Sequence, residues 1–297
     1  MSDTNTSIGE RLTIPALQAK KVRGEKIVAL TAYDHPVARI LDEAGVDLLL
    51  VGDSLGMVVL GYDNTLPVTM EDMIHHTRPV VRATRRALVI GDMPYFSFHR
   101  SLEDSLANAA RFIKEAGAQG VKVEGATPFR LKLIEALVEA EIPVMGHVGL
   151  TPQSVHRLGG FKVQGGERVD AERIIRDARN LERAGVFSLI LESIPLELAR
   201  IITARSTVPT IGIGAGPHCD GQILVFHDLA GFSNGNLPRF VKKYADLHAV
   251  LSGAVADYGR DVRAGLFPDD THSYHMKKGP AKRPRSRPAK GPGRTRR

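Results

Sequence analysis

The chain of 297 residues has a single cysteine, Cys219, so no intrachain disulfide can form and a reducing cytoplasm fits. No apolar stretch approaches the roughly 18 residues that a membrane helix needs. The first ten residues, MSDTNTSIGE, are polar and mildly acidic, unlike a secretory signal. No G-x-x-x-x-G-K-[ST] loop is present, which removes the P-loop. The run GIGAG (212–216) lacks the full dinucleotide fingerprint. The next apolar run follows too soon for the long helix that would cradle a pyrophosphate, so a nicotinamide site is excluded. What is present is globular: 43% hydrophobic and 25% charged residues, in a length that suits one large domain or two small ones.

The net charge of +7 invites a nucleic-acid function, but its location argues otherwise. Residues 277–297 (KKGPAKRPRSRPAKGPGRTRR) carry ten Lys or Arg and no acid, which leaves 30 basic against 33 acidic residues elsewhere. The tail has nothing to bury and is expected to be disordered, touching polyanions weakly and without sequence specificity. No specific nucleic-acid partner and no membrane are expected. The layout read here is a flexible segment 1–10, a single catalytic domain 11–276 and the tail 277–297.

Eight apolar runs alternate with amphipathic stretches: IVALTAY (27–33), VDLLLVGD (46–53), ALVIGDMP (87–94), GVKVEG (120–125), PVMGHVG (143–149), SLILESI (188–194), VPTIGIG (208–214) and QILVFHD (222–228). Nearly continuous Val, Ile and Leu mark strands buried on both faces of a parallel sheet. Helical patterns such as 101–117 and 171–185 lie between most of them and several end on glycine; Ser101 and Asp104 form a capping-box-like start. Eight strands with helical crossovers predict an α/β fold of the (β/α)8 barrel type, with a doubly wound open sheet as the alternative. The last crossover is short, because GPHCDG barely separates strands seven and eight.

A weak repeat supports the barrel. EAGVDLLLVGDS, EAGAQGVKVEGA and RAGVFSLILESI share a helix end at Ala-Gly, an apolar strand and a strand-end carboxylate, here Asp53, Glu124 and Glu192; Asp92 in VIGDMP is equivalent. One such acid simply caps a helix. Four at the C-terminal ends of barrel strands converge on one mouth, where barrel enzymes place their chemistry. Hard oxygen donors suit Mg²⁺, and Asp53, Asp92 and Glu124 are the candidate ligands. Lys122 stands two residues before Glu124 and so faces the same side of its strand. His147 in VMGHVGLTP lies near another strand end, where an active-site and a structural histidine fit equally well. His75 and His76 point to different helix faces and make no zinc pair. The Gly-rich stretch 156–166 reads as a lid-length loop, and 61–69 as a second irregular loop at the same mouth.

The runs TAYDHPVARILDEAGVDLLLVGDSLGMVVLGYDNTLPVT, GDMPYFSF, KVEG, GHVGLTPQ, GGFKVQG, LESIP and GIGAGPHCDGQILV, in this order across residues 11–268, closely resemble the ketopantoate hydroxymethyltransferase family. The resemblance implies a barrel of the phosphoenolpyruvate/pyruvate superfamily, Mg²⁺ and a homodecameric cytoplasmic assembly. It carries metal binding onto Asp53, Asp92 and Glu124, and 2-oxoacid binding onto Asp53, Ser54, Asp92 and Lys122. It makes Glu192 the proton acceptor and assigns His147 to the active site. The chain departs from the family pattern at Gly166, where a basic residue is expected, and at Thr271, where Glu is usual. The implied reaction joins 3-methyl-2-oxobutanoate to the one-carbon unit of 5,10-methylenetetrahydrofolate through a Mg-stabilised enolate, giving 2-dehydropantoate (ketopantoate) for pantothenate and coenzyme A synthesis. A Mg-dependent 2-oxoacid carbon–carbon lyase on the same barrel is the alternative; it would need no folate.

Overall fold

Aliphatic runs this short and this continuous cannot cover both of their faces alone, and the chain answers by closing them into a ring. The structure, a computed structural model, describes residues 11–232 and 237–277; segment 1–10 and the tail beyond Lys277 lie outside the described residues. The strands are β1 (Ile27–Thr31), β2 (Leu48–Val51), β3 (Leu88–Asp92), β4 (Gly120–Glu124), β5 (Val144–Gly149), β6 (Ser188–Glu192), β7 (Thr210–Ile213) and β8 (Gly221–Leu224). All pair in parallel in chain order, and β8 returns to β1, so the barrel is closed and the open sheet is excluded.

The helices are α1 (Ile14–Arg23), α2 (His35–Glu43), α3 (Leu55–Val58), α4 (Met70–Ala83), α5 (Leu102–Lys114), α6 (Pro128–Glu139), α7 (Val155–Leu158), α8 (Arg168–Arg183), α9 (Leu196–Arg205), α10 (Phe226–Ala230) and α11 (Leu247–Arg263). Thr13, Asp34 and Thr127 start α1, α2 and α6 by accepting the N–H of Ala16, Val37 and Arg130, with a proline in each first turn. Ser101 likewise accepts the N–H of Asp104, but the box is half-made: the Asp104 carboxylate lies 3.4 Å from Arg100 instead. The reciprocal capping box is at Thr69 and Asp72, opening α4.

One expected strand is corrected. The run 222–228 ends as a strand at Leu224, and Phe226–Ala230 turn into α10. The Phe226 N–H donates to Thr31 Oγ1 rather than extending the ladder, and an apolar run does not by itself distinguish strand from buried helix. Residues 214–220 join β7 to β8 without a helix.

Side chains alternate along the strands and divide the core into two. The outer layer packs Leu49, Val89, Val121, Val123, Val144 and Leu191 against the helices. The inner layer holds Ile27, Ala29, Leu48, Leu50, Leu88, Ile90, Met145, Ile190, Ile211 and Ile223, and Leu17 of α1 joins it where the strands begin. Following the same inward positions towards the strand ends, the residues change to Asp92, Lys122, Glu124, His147 and Glu192. The floor is apolar and the upper layer ionic. On the outer face of β3, Gly91 lets α5 pack closely, since a Cβ there would lie 2.2 Å from the Phe112 ring.

Helix α2 is tied to the start of β3 by one buried carboxylate. Asp42 accepts the N–H groups of Arg85, Arg86 and Ala87 at 2.8, 3.0 and 2.7 Å. Asp42→Ala strands these donors without putting anything in their place, so a loss of about 2–4 kcal/mol is expected. Denaturant unfolding checks it, and an unchanged midpoint would exclude the role.

Contacts divide the chain into residues 1–247 and 248–297. The described part of the second unit contains most of α11, none of it buried, and a 3₁₀ turn at Asp270–His272. Within it the Phe267 ring lies 5.7 Å from Tyr258 and 5.4 Å from His272.

Candidate active site

Parallel strands all present their C-terminal ends to one mouth, and register decides which inward side chains meet there. Asp92 pairs in register with Lys122, Glu124 with His147, and Gly149 with Glu192. Lys122 Nζ consequently lies 2.9 Å from Asp92 Oδ1, 3.2 Å from Glu124 Oε1 and 3.3 Å from His147 Nδ1. His147 continues the line, its Nε2 standing 3.3 Å from Glu192 Oε2. Asp53 follows β2, where its N–H donates to Asp92 Oδ2 at 3.2 Å. Ser54 precedes α3, with its hydroxyl 2.8 Å from the Tyr33 hydroxyl. All seven residues singled out in the sequence are brought together.

The cluster is nearly dry. Asp53, Asp92, Lys122, Glu124 and His147 are each buried, whereas the Glu192 side chain keeps 17% of its surface. Burial pushes the Asp53 carboxyl well above the carboxylate range, and Asp92 and Glu124 push it further. Burial also raises Asp92, against the pull of Lys122. For Glu124 burial is outweighed by Lys122 and His147, which hold its carboxyl down to about 2. Burial opposes the charge on Lys122, but Asp92, Glu124 and Asp53 prevail and raise its pKa. Burial and Lys122 likewise oppose a charge on His147, and the flanking Glu124 and Glu192 overcome them, lifting the imidazole to about 9. Four carboxyl groups face one ammonium and one imidazolium, more acid than these two cations can hold ionised.

Gln153, on the 3₁₀ turn Pro152–Ser154 after β5, was not singled out in the sequence. Its Nε2 donates to Asp53 Oδ2 and to the Met93 carbonyl, both at 2.9 Å, and its backbone N–H donates to Glu124 Oε2 at 3.2 Å. Its Oε1 is buried without a hydrogen-bond partner among the described residues. A neutral amide has no periodicity or charge pattern to betray it; the sole signal was its place in GHVGLTPQ. Tyr33 was missed for the same reason.

As they stand, the side chains are engaged with one another, and among the described residues no three His, Cys, Asp or Glu form a ready ligand set. The donor chemistry nevertheless fits a hard divalent cation: three carboxyl groups beside an uncommitted amide oxygen. The cluster lines a cavity of about 100 Å³, whose other walls include Thr31, Leu50, Ile190, Ile213, Ile223 and Leu224. Glu124 also lines a second cavity of about 640 Å³ further out in the mouth.

The family model described as ketopantoate hydroxymethyltransferase matches residues 11–270. The chain is 55% identical over 269 residues to the 3-methyl-2-oxobutanoate hydroxymethyltransferase of Thermoanaerobacter sp. (strain X514), spanning 91% of this chain and 98% of that protein. It is 51% identical over 267 residues to the protein of the same name from Geobacter metallireducens, spanning 90% and 100%. Among solved structures, phosphonopyruvate hydrolase in complex with oxalate and Mg²⁺ aligns with a TM-score of 0.56 at 15% identity, over 87% of this chain and 92% of that one. The 2,3-dimethylmalate lyase of the PEP mutase/isocitrate lyase superfamily aligns at 0.56 and 16% identity, over 88% and 91%. Likeness at such low identity shows a shared barrel and no more.

Proposed function

The chain belongs to the ketopantoate hydroxymethyltransferase family, and from that premise we propose how its barrel mouth carries out hydroxymethyl transfer to 3-methyl-2-oxobutanoate. The donor is 5,10-methylenetetrahydrofolate. Asp53, Asp92 and Glu124 hold Mg²⁺, and the cavity of about 100 Å³ holds the oxoacid, bound by Asp53, Ser54, Asp92 and Lys122. Bound there, Mg²⁺ supplies Lewis-acid polarisation of the 2-oxo group, which acidifies the proton on C3.

The chain's own residues do the rest. Leu50, Ile190, Ile213 and Ile223 form an apolar wall for the isopropyl group. The Lys122 ammonium faces the oxoacid's anionic end from below the carboxylate layer. Glu192 accepts the C3 proton, with His147 orienting its carboxylate from 3.3 Å. C3 then bonds to the methylene carbon of the donor as that carbon's bonds to N5 and N10 break; water supplies the hydroxyl, and its other proton together with the one taken up by Glu192 restores the two N–H groups of tetrahydrofolate. The observation that supports this division of labour is the line Lys122–Glu124–His147–Glu192, which sets one carboxylate apart from the other three.

The assembly we propose is a cytoplasmic homodecamer, without a specific nucleic-acid partner; among the described residues no helix is long and apolar enough to cross a membrane. The activity is tested by incubating the full chain with 3-methyl-2-oxobutanoate, 5,10-methylenetetrahydrofolate and Mg²⁺. Formation of 2-dehydropantoate is expected. Cleavage of a 2-oxoacid without folate would favour the lyase reading instead.

A further inference from the structure

The oxoacid cavity is far too small for a folate, so the second substrate needs a place of its own. The cavity of about 640 Å³ lies within the size range of ligand pockets and shares Glu124 with the smaller one. Its lining carries three arginines, Arg130 on α6, Arg157 on α7 and Arg173 on α8, beside the carboxylates Glu124 and Asp177. Arg173 already has anions of its own, lying 3.4 Å from Asp170 and 3.5 Å from Asp177. Arg130, half-buried, forms no ion pair with a carboxylate among the described residues, which is costly for a guanidinium partly out of water, and Arg157 lines the same cavity from an exposed position.

Arg130 is held in place by neutral partners. Its Nη2 donates to His99 Nε2 at 2.7 Å, its Nη1 donates to Thr127 Oγ1 at 3.2 Å, and its guanidinium carbon stands 5.5 Å from the centre of the Phe98 ring. Burial and Arg130 push the His99 imidazole down to about 4, so the ring is neutral. If Nε2 accepts from Arg130, Nδ1 carries the proton. That atom and Arg130 Nε are both buried without a hydrogen-bond partner among the described residues. A guanidinium with an unused N–H, beside a second unused donor on the neutral His99, suits a carboxylate. Tyr95, on the same wall with its ring 5.3 Å from His99, offers an aromatic face.

We propose that the larger cavity binds the one-carbon donor, with Arg130 and Arg157 holding the carboxylates of its glutamate portion while its methylene end reaches the shared edge at Glu124. This rests on the function proposed above and extends it to the second substrate. The test compares Arg130→Gln and Arg157→Gln with the unaltered full chain, each given mono- and triglutamyl 5,10-methylenetetrahydrofolate. Alongside it, exchange of the C3 proton of 3-methyl-2-oxobutanoate in D₂O with Mg²⁺ and no folate reports the oxoacid site and the integrity of the barrel. Each variant should raise the donor KM about tenfold or more, reduce the advantage of the triglutamyl form and leave exchange within about twofold. Arg130→Lys, which keeps the charge but loses the fork, should recover part of the affinity. An unchanged donor KM in both Gln variants overturns the proposal. So does a parallel fall in exchange, which would put Arg130 in the oxoacid site. If the unaltered chain neither exchanges the proton nor forms product, it is the function that fails.

Discussion

Glu192→Gln should slow Mg²⁺-dependent exchange of the C3 proton of 3-methyl-2-oxobutanoate by about 10²–10⁴-fold, the usual contribution of a positioned general base. Glutamine keeps the length of the side chain and can place its amide oxygen towards His147 Nε2, which stands 3.3 Å from the native carboxylate, so the geometry of the site should survive. What is lost is the capacity to take a proton. The backbone around residue 192 is rigidly set: its carbonyl accepts the N–H of Leu150 at 2.9 Å, and a Cβ on Gly149 (φ +98°) would lie 2.2 Å from the same oxygen. Following exchange by NMR isolates the step from folate chemistry. A variant that exchanges at the native rate but forms no product would move Glu192 to a later step. Collapse of Mg²⁺ affinity would make it a ligand.

Asp53→Asn and Asp92→Asn should each weaken Mg²⁺ by more than about 100-fold and abolish turnover, because a site with so few protein carboxylates cannot spare one. Asp53→Asn should leave the metal-free barrel as stable as before or more so, because burial and the neighbouring carboxylates already drive this carboxyl towards the neutral form and Gln153 Nε2 keeps an acceptor. Asp92→Asn should lower the metal-free stability, because it removes the carboxylate 2.9 Å from the buried Lys122 ammonium. Calorimetric Mg²⁺ titration and thermal melting without metal read the two effects separately. Unchanged Mg²⁺ affinity in both variants would remove them from the ligand set; a large drop in melting temperature for Asp53→Asn would show that residue to be structural.

The barrel was legible because its signal is local and repeated. The apolar runs number eight, and inward positions two apart, such as Lys122 and Glu124, share a side whatever the tertiary fold. The strand-end acids Asp53, Asp92, Glu124 and Glu192 were legible as a set once the strands were placed. Gln153 was not, because its bond to Asp53 spans 100 residues and its amide titrates nowhere. Arg130 and His99, 31 residues apart on separate loops and helices, left no pattern either. The end of β8 was misjudged because what stops it, the Thr31 hydroxyl taking the Phe226 N–H, is 195 residues away.

The change from an aliphatic floor to an ionic upper layer has a consequence for how the chain finds its register. Strands made of Val, Ile and Leu offer little to distinguish one alignment from the next, and a closed parallel barrel has eight alignments to settle. A slip of one residue along β4 would turn Lys122 and Glu124 outward against the helices and bring Val121 and Val123 inward, stranding two charges in hydrocarbon. The inward ions can be desolvated together only when β3, β4, β5 and β6 are aligned as they are here. The catalytic layer therefore also proofreads assembly, admitting one closure and penalising its near neighbours.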